Sequence, residues 1–217
     1  MRARSNIAST RVSRLTAAVL MALAGAPALA GTTTIGDFNG DSNVDVLWDN
    51  RALGNELVWQ CDGTPGDGTF VLSAVALTPR AGDSLVLVGR GEFNGDSATE
   101  LLWRDLATGE NFAVVNPGAP SPTTIALPTV TGRDWRIVGV GDFNNDGRSD
   151  VVWRNPKEGR TIIWLLNGGT VTQTAELPLV NERAWLPVGV GDFTGDGKDD
   201  ILWRNQWTGS NTVWQMN

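Results

Sequence analysis

Side-chain oxygens fall at every second position in Asp142, Asn144 and Asp146, and a further carboxylate follows at Asp150. Hard cations such as calcium are held by roughly six to eight oxygens on flexible carboxylate and carbonyl arms. Residues 141–150, Gly-Asp-Phe-Asn-Asn-Asp-Gly-Arg-Ser-Asp, therefore read as a loop that wraps one ion. Asp142, Asn144, Asp146 and Asp150 take positions 1, 3, 5 and 9, and the Arg148 carbonyl supplies the ligand at position 7. Gly147 stands at position 6, where the backbone turns sharply and a Cβ would obstruct it. Magnesium fits less well, because it demands tight octahedral geometry and keeps its waters.

The same set recurs three more times. Its members are Asp37, Asn39, Asp41, Asn43 and Asp45; Glu92, Asn94, Asp96, Ala98 and Glu100; and Asp192, Thr194, Asp196, Lys198 and Asp200. In each, the position-7 residue (Asn43, Ala98, Lys198) serves through its carbonyl. The loops open at residues 37, 92, 142 and 192, so the repeat is about 50 residues long. Up to four calcium ions are expected, with the loop at 142–150 the best supplied. The loop at 92–100 is the poorest, since its glutamates push each carboxylate out by a methylene. Asp/Asn/Gly clusters also build ordinary turns; four in register, each running into a Trp-tipped strand, are harder to read that way.

Position 9 is already the first residue of an apolar strand, as in Asp150-Val151-Val152-Trp153, so the loop joins two strands rather than two helices. Short β-branched runs punctuated by Gly, Pro, Asn and Asp fill the spaces between loops, and no sustained helical period appears after the first thirty residues. Strands are expected at 32–35, 44–48, 55–61 and 70–77 in the first repeat, with 111–115 as the third strand of the second. The last repeat ends at Asn217 after its third strand, leaving a sheet edge that invites pairing with another chain.

Gly-Asp-Phe-Asn-Gly-Asp followed by an Asp-apolar-apolar-Trp-Arg strand resembles the FG-GAP/VCBS repeat, the calcium-loop blade of integrin-α-type β-propellers. The resemblance implies an all-β fold of four propeller blades, at about 31–83, 84–133, 134–183 and 184–217, closed as a ring or left as a partial propeller. It also implies calcium on the loops joining the first two strands of each blade. Ser42 and Ser97 depart from the pattern at the position-6 glycine, as do Glu92, Glu100 and Thr194 at ligand positions.

The N-terminus reads as an export signal: Arg2, Arg4, Arg11 and Arg14 precede an apolar run from Leu15 to Ala24, and Ala28-Leu29-Ala30 forms the cleavage site. Residues 1–30 would be removed and 31–217 secreted or delivered to the periplasm, with no membrane span remaining. The full chain carries a net charge of −7, and half of its 24 acidic residues stand at loop positions 1, 5 and 9. Acids placed there await a cation, and a chain with no basic run is a poor partner for nucleic acid. Cys61 is the single cysteine, so no intrachain disulfide forms; it is expected to be buried beside the strand that carries Trp59.

The tryptophans that tip the strands, Trp48, Trp103, Trp153 and Trp203, with Trp59, Trp164 and Trp214 eleven residues after three of them, are expected to fill the wedges between sheets. Trp207 differs, because it stands in a turn where the other repeats have Ala52, Ala107 and Lys157. It is the candidate for contact with a ligand or partner. The leading function is a non-catalytic, calcium-stabilised module for extracellular interaction or adhesion with a protein or glycan. The alternative is a carbohydrate-binding, lectin-like propeller. A polysaccharide-acting enzyme is the remote reading, since the chain has no histidine and its conspicuous carboxylates are repeated rather than singular.

Overall fold

A computed structural model of the chain describes residues 32–50, 55–61, 73–77, 84–117, 119 and 121–216. The fold is all-β. Its strands form four antiparallel sheets, each assembled in chain order, so every strand lies beside its sequence neighbour. The first sheet holds β1 (Thr32–Gly36), β2 (Asp45–Asn50), β3 (Asn55–Gln60) and β4 (Ser73–Leu77). The second holds β5 (Leu85–Gly91), β6 (Glu100–Asp105), β7 (Asn111–Val115) and β8 (Thr123–Leu127). The third holds β9 (Arg136–Gly141), β10 (Asp150–Asn155), β11 (Arg160–Asn167) and β12 (Thr170–Glu176). The fourth holds β13 (Trp185–Gly191), β14 (Asp200–Asn205) and β15 (Asn211–Trp214).

In the first repeat the first strand ends at Gly36 rather than Ile35, the second runs over Asp45–Asn50 rather than 44–48, and the third ends at Gln60 rather than Cys61. The fourth is described from Ser73, and the expected residues 70–72 lie outside the described set. Cys61 follows the end of β3 and is half-buried rather than buried, while its amide donates to Asp45 Oδ1 at 2.9 Å.

The chain divides into two units. Met1–Gly36 with Asn43–Pro79 carry the first sheet; Asp37–Ser42 with Arg80–Asn217 carry the first loop and the other three sheets. In the second unit the opening strands stand side by side, β5 next to β9 and β9 next to β13. Two glycines permit that approach. A Cβ added at Gly89 would stand 2.5 Å from Val140 Cγ2, and one at Gly139 would stand 2.5 Å from Val190 Cγ2. Each valine of one sheet thus seats in a glycine notch of the sheet before it.

Between these sheets lie two apolar layers. Phe93, Leu102 and Ala113 of the second sheet meet Val151, Trp153 and Leu166 of the third. Phe143, Val152 and Ile163 of the third meet Ile201 and Trp203 of the fourth. Trp153 and Trp203 are buried as their spacing predicts, each tilted on its partner, Trp164 or Trp214, at 4.9 Å. An arginine from the sheet before lies over each indole. Arg104 lies 4.9 Å from the Trp153 ring centroid, and Arg154 lies 5.2 Å from that of Trp203. Both guanidinium groups also donate to turn carbonyls, Arg104 to Val130 and Arg154 to Gly159 and Val180, so the buried charge is spread over fixed dipoles.

Candidate metal centre

Each loop is shaped by two left-handed residues. Position 4 is Gly40, Gly95, Asn145 and Gly195, with φ of 77°, 87°, 60° and 78°. Position 6 is Ser42, Ser97, Gly147 and Gly197, with φ of 69°, 70°, 79° and 88°. The serines that break the glycine pattern therefore keep its conformation, at a cost of roughly 1 kcal/mol each. Between these turns the position-1 carboxylate collects the loop amides. Asp142 Oδ2 accepts from Gly147 N at 2.8 Å, Asp37 Oδ2 from Ser42 N at 2.7 Å, and Asp192 Oδ2 from Gly197 N at 2.9 Å. The Gly197 amide, ahead of those of Gly195 and Asp196, holds the Asp192 carboxyl below the usual range.

Positions 3 and 5 lock to each other in the same way in the three loops that carry asparagine at position 3. Asn144 Nδ2 donates to Asp146 Oδ2 at 2.9 Å and Asn144 Oδ1 accepts from Asp146 N at 3.0 Å, with matching pairs at Asn39/Asp41 and Asn94/Asp96. The position-7 residues Arg148, Ala98 and Lys198 donate their amides to the carboxylate of position 5, at 2.9, 2.8 and 2.9 Å. Thr194, which replaces asparagine, offers an amide to Asp192 Oδ1 at 3.2 Å.

Position 9 makes bonds that its spacing did not announce. Asp150 is fully buried, and both its oxygens accept backbone amides, Leu166 N at 2.8 Å and Phe143 N at 3.0 Å. Asp200 repeats this with Met216 N and Phe193 N. These carboxylates clamp the loop to the third strand of their own sheet. Burial, with Asp146 and Asp142 adding repulsion against the amide bonds, pushes the Asp150 carboxyl up to about 6.

Among the described residues, the second loop is where buried carboxylate oxygens stand without a partner. Glu100 is fully buried and takes one amide, Phe93 N at 2.6 Å on Oε2, while its Oε1 has no partner. Glu92 Oε2 is likewise buried without a partner. Among the described residues, Glu92, Asp96 and Glu100 form the group of three acids whose ligand atoms lie within 4.8 Å of one another. The loop that its sequence ranks last is thus the one where three carboxylates converge, because the added methylene carries an oxygen past the clamp. Burial foremost, then the charges of Glu92 and Asp96, raises the Glu100 carboxyl to about 7 despite the Phe93 amide. Partnerless buried oxygens facing other acids are what a divalent cation would satisfy, so the donor set fits a hard ion.

A residue at position 8 ties each loop to the one before it, and nothing in the spacing singled it out. Thr99 N donates to Asp37 O at 2.6 Å, Ser149 N to Glu92 O, and Asp199 N to Asp142 O at 2.7 Å. Two of the side chains return a bond, Ser149 Oγ accepting from Glu92 N at 2.9 Å and Asp199 Oδ2 from Asp142 N at 2.8 Å. The position-1 residue of one loop is therefore held by the next repeat. Only its recurrence beside the ligand positions could have flagged this residue; its partner is a whole repeat away.

Trp207 lies in the turn between β14 and β15 with 81% of its surface exposed, its amide held by Asn205 Oδ1 at 3.0 Å. A cleft of about 660 Å³ opens between the third sheet's outer strands and the end of the fourth, with Phe143 and Trp214 in its wall. Gln173, Gln215 and Lys198 supply its polar lining.

A model of the FG-GAP-like repeat matches residues 142–203. No curated protein matches the chain. Among solved structures, the chain is similar to a lectin of Agrocybe aegerita, described for its specific recognition of non-reducing terminal N-acetylglucosamine. The TM-score is 0.58 at 17% identity over 84% of this chain. The chain spans about half, 51%, of that lectin's length.

Proposed function

We propose that this chain is an exported, non-catalytic carbohydrate-binding module whose sheets are held in place by calcium. The observation that carries the reading is the cleft beside the fourth sheet, where the Trp214 indole stands among Gln173, Gln215 and Lys198. A pyranose has an apolar face and a rim of hydroxyls, and aromatic rings flanked by amides match that combination. Fold similarity to a lectin favours the same reading. Trp207, exposed on the turn at the other end of β14, offers a separate stacking platform.

Calcium has a structural part in this reading. The carboxylates at positions 1 and 5, with the Glu92, Asp96 and Glu100 group foremost, would hold the ion and offset their own repulsion, so that binding adds to folding stability. Sheet edges and turns are then free to meet a glycan or, in the adhesion form of the reading, an extracellular protein. The test is a glycan array probed with the purified protein in calcium, with terminal N-acetylglucosamine structures included. Binding that Gln173→Ala or Trp207→Ala reduces at least tenfold, with melting unchanged, is expected. No glycan bound above background would remove the carbohydrate reading.

A further inference from the structure

The interfaces between successive sheets of the second unit follow a fixed recipe, and residues from both halves of that recipe also stand exposed. In the second and third sheets the trailing face buries Phe93, Leu102 and Ala113, or Phe143, Val152 and Ile163. The same positions in the fourth sheet are Phe193, Leu202 and Val213, and Phe193 is 53% exposed. Val188, one repeat after the packed Val138, is 50% exposed. Arg204 stands where Arg104 and Arg154 cover an indole, but it is exposed and donates to Asn211 Oδ1.

The notches repeat this pattern. At Gly89 and Gly139 an added Cβ would strike a valine of the next sheet, yet at Gly189 it would meet only the sheet's own Leu202, at 3.7 Å. Gly141 is approached by Asp199 and Val190, whereas Gly191 has Phe193 of its own loop at 4.0 Å. These are empty seats of known shape.

The knobs that would fill them are on the first sheet. Val140 and Val190, which occupy the filled notches, correspond to Ile35, which is 53% exposed. Ser149 and Asp199, which lie against Gly91 and Gly141, correspond to Val44, which is 60% exposed. Leu101, Val151 and Ile201 are fully buried, while their counterpart Val46 is half-buried. Trp48 is half-buried where Trp153 and Trp203 are sealed beneath an arginine.

We propose that the trailing face of the fourth sheet docks the leading face of the first sheet of a second copy of this chain, so that two copies close head to tail. Ile35 seats at Gly189, Val44 at Gly191 and Trp48 beneath Arg204, and the Val44 amide meets the Asp192 carbonyl as Asp199 N meets Asp142 O. Such contacts are heterologous, and two of them related by a twofold axis close without leaving a free face. The knobs and notches of the two faces are those of the filled interfaces, which argues for another copy of this chain as the occupant.

Sedimentation velocity on the purified protein in calcium, from micromolar to hundreds of micromolar, tests this. The expected result is a particle of twice the chain's mass. Ile35→Asp spoils the leading face, and Gly189→Val fills the empty notch at a position whose added Cβ has only ordinary contact within its own sheet. Each variant should weaken association at least tenfold while keeping the wild-type melting temperature. Mixed together, they should associate more tightly than either alone, because each retains the face that the other lost. A wild-type monomer at every concentration, variants that pair like wild type, or a mixture no tighter than its components would each overturn the proposal.

Discussion

Glu100→Gln separates the charge of the second loop from its shape. The buried Glu100 carboxyl titrates at about 7 in the fold against 4.5 as an ordinary glutamate. Below pH 4.5 it is protonated in both folded and unfolded chains and costs nothing. Between the two values the unfolded chain gives up the proton while the fold keeps it, so stability falls as pH rises, and above 7 the full cost is present. That gap amounts to about 3 kcal/mol, at about 1.4 kcal/mol per pH unit. Glutamine keeps the acceptor for the Phe93 amide and places an N–H₂ where the orphaned Oε1 faces Glu92 and Asp96. In EDTA at pH 8 the variant should therefore melt higher than wild type by on the order of 6–12 °C for a chain of this size. At pH 4.5 the two should differ little. Calcium at pH 8 should raise wild type more than the variant, since the ion does for the carboxylates what the substitution does by removing one. The assay is a calorimetric melt of both proteins across pH 4.5–8, with EDTA and then with calcium. A variant less stable than wild type in EDTA at pH 8, or a difference that does not change with pH, would refute the reasoning.

Gly139→Val should destabilise the protein by about 1–3 kcal/mol, because its side chain would occupy the space of Val190; a urea titration reads the change. Asp199→Ala removes the acceptor of the Asp142 amide while leaving every ligand side chain of the third loop in place. It should lower calcium affinity at that loop several-fold, read from the Gly147 amide in an NMR titration, and equal affinity would show that the loops bind independently.

Much of the fold was legible because the repeat is local. Strand, loop and strand lie within about twenty residues of one another, and the two-residue spacing of Asp142, Asn144 and Asp146 reports directly on a turn that wraps its own side chains. Trp153 and Trp203 could be placed in the core by recurrence alone. Position 9 was only half legible, since the spacing that places Asp150 beside an ion does not show that its carboxylate also accepts the Leu166 and Phe143 amides. Nor could spacing show that the longer side chain of Glu100 leaves an oxygen unpartnered, which depends on where the Phe93 amide stands. The contacts between repeats were hidden for a further reason. Gly89 and Val140, Arg104 and Trp153, or Asp199 and Asp142 are each about fifty residues apart, and nothing in either partner's own neighbourhood announces the other.

The central claim, that a hard cation holds this fold together through its acidic loops, is tested most directly by melting the purified protein at pH 8. The melt is run in excess EDTA, then with millimolar calcium, with millimolar magnesium as the control. The account predicts a large upward shift with calcium, and a smaller one with magnesium, which keeps its waters and demands a tighter cage. An unchanged melt in calcium, from a protein already stable in EDTA, would contradict it and leave the loops as turns alone.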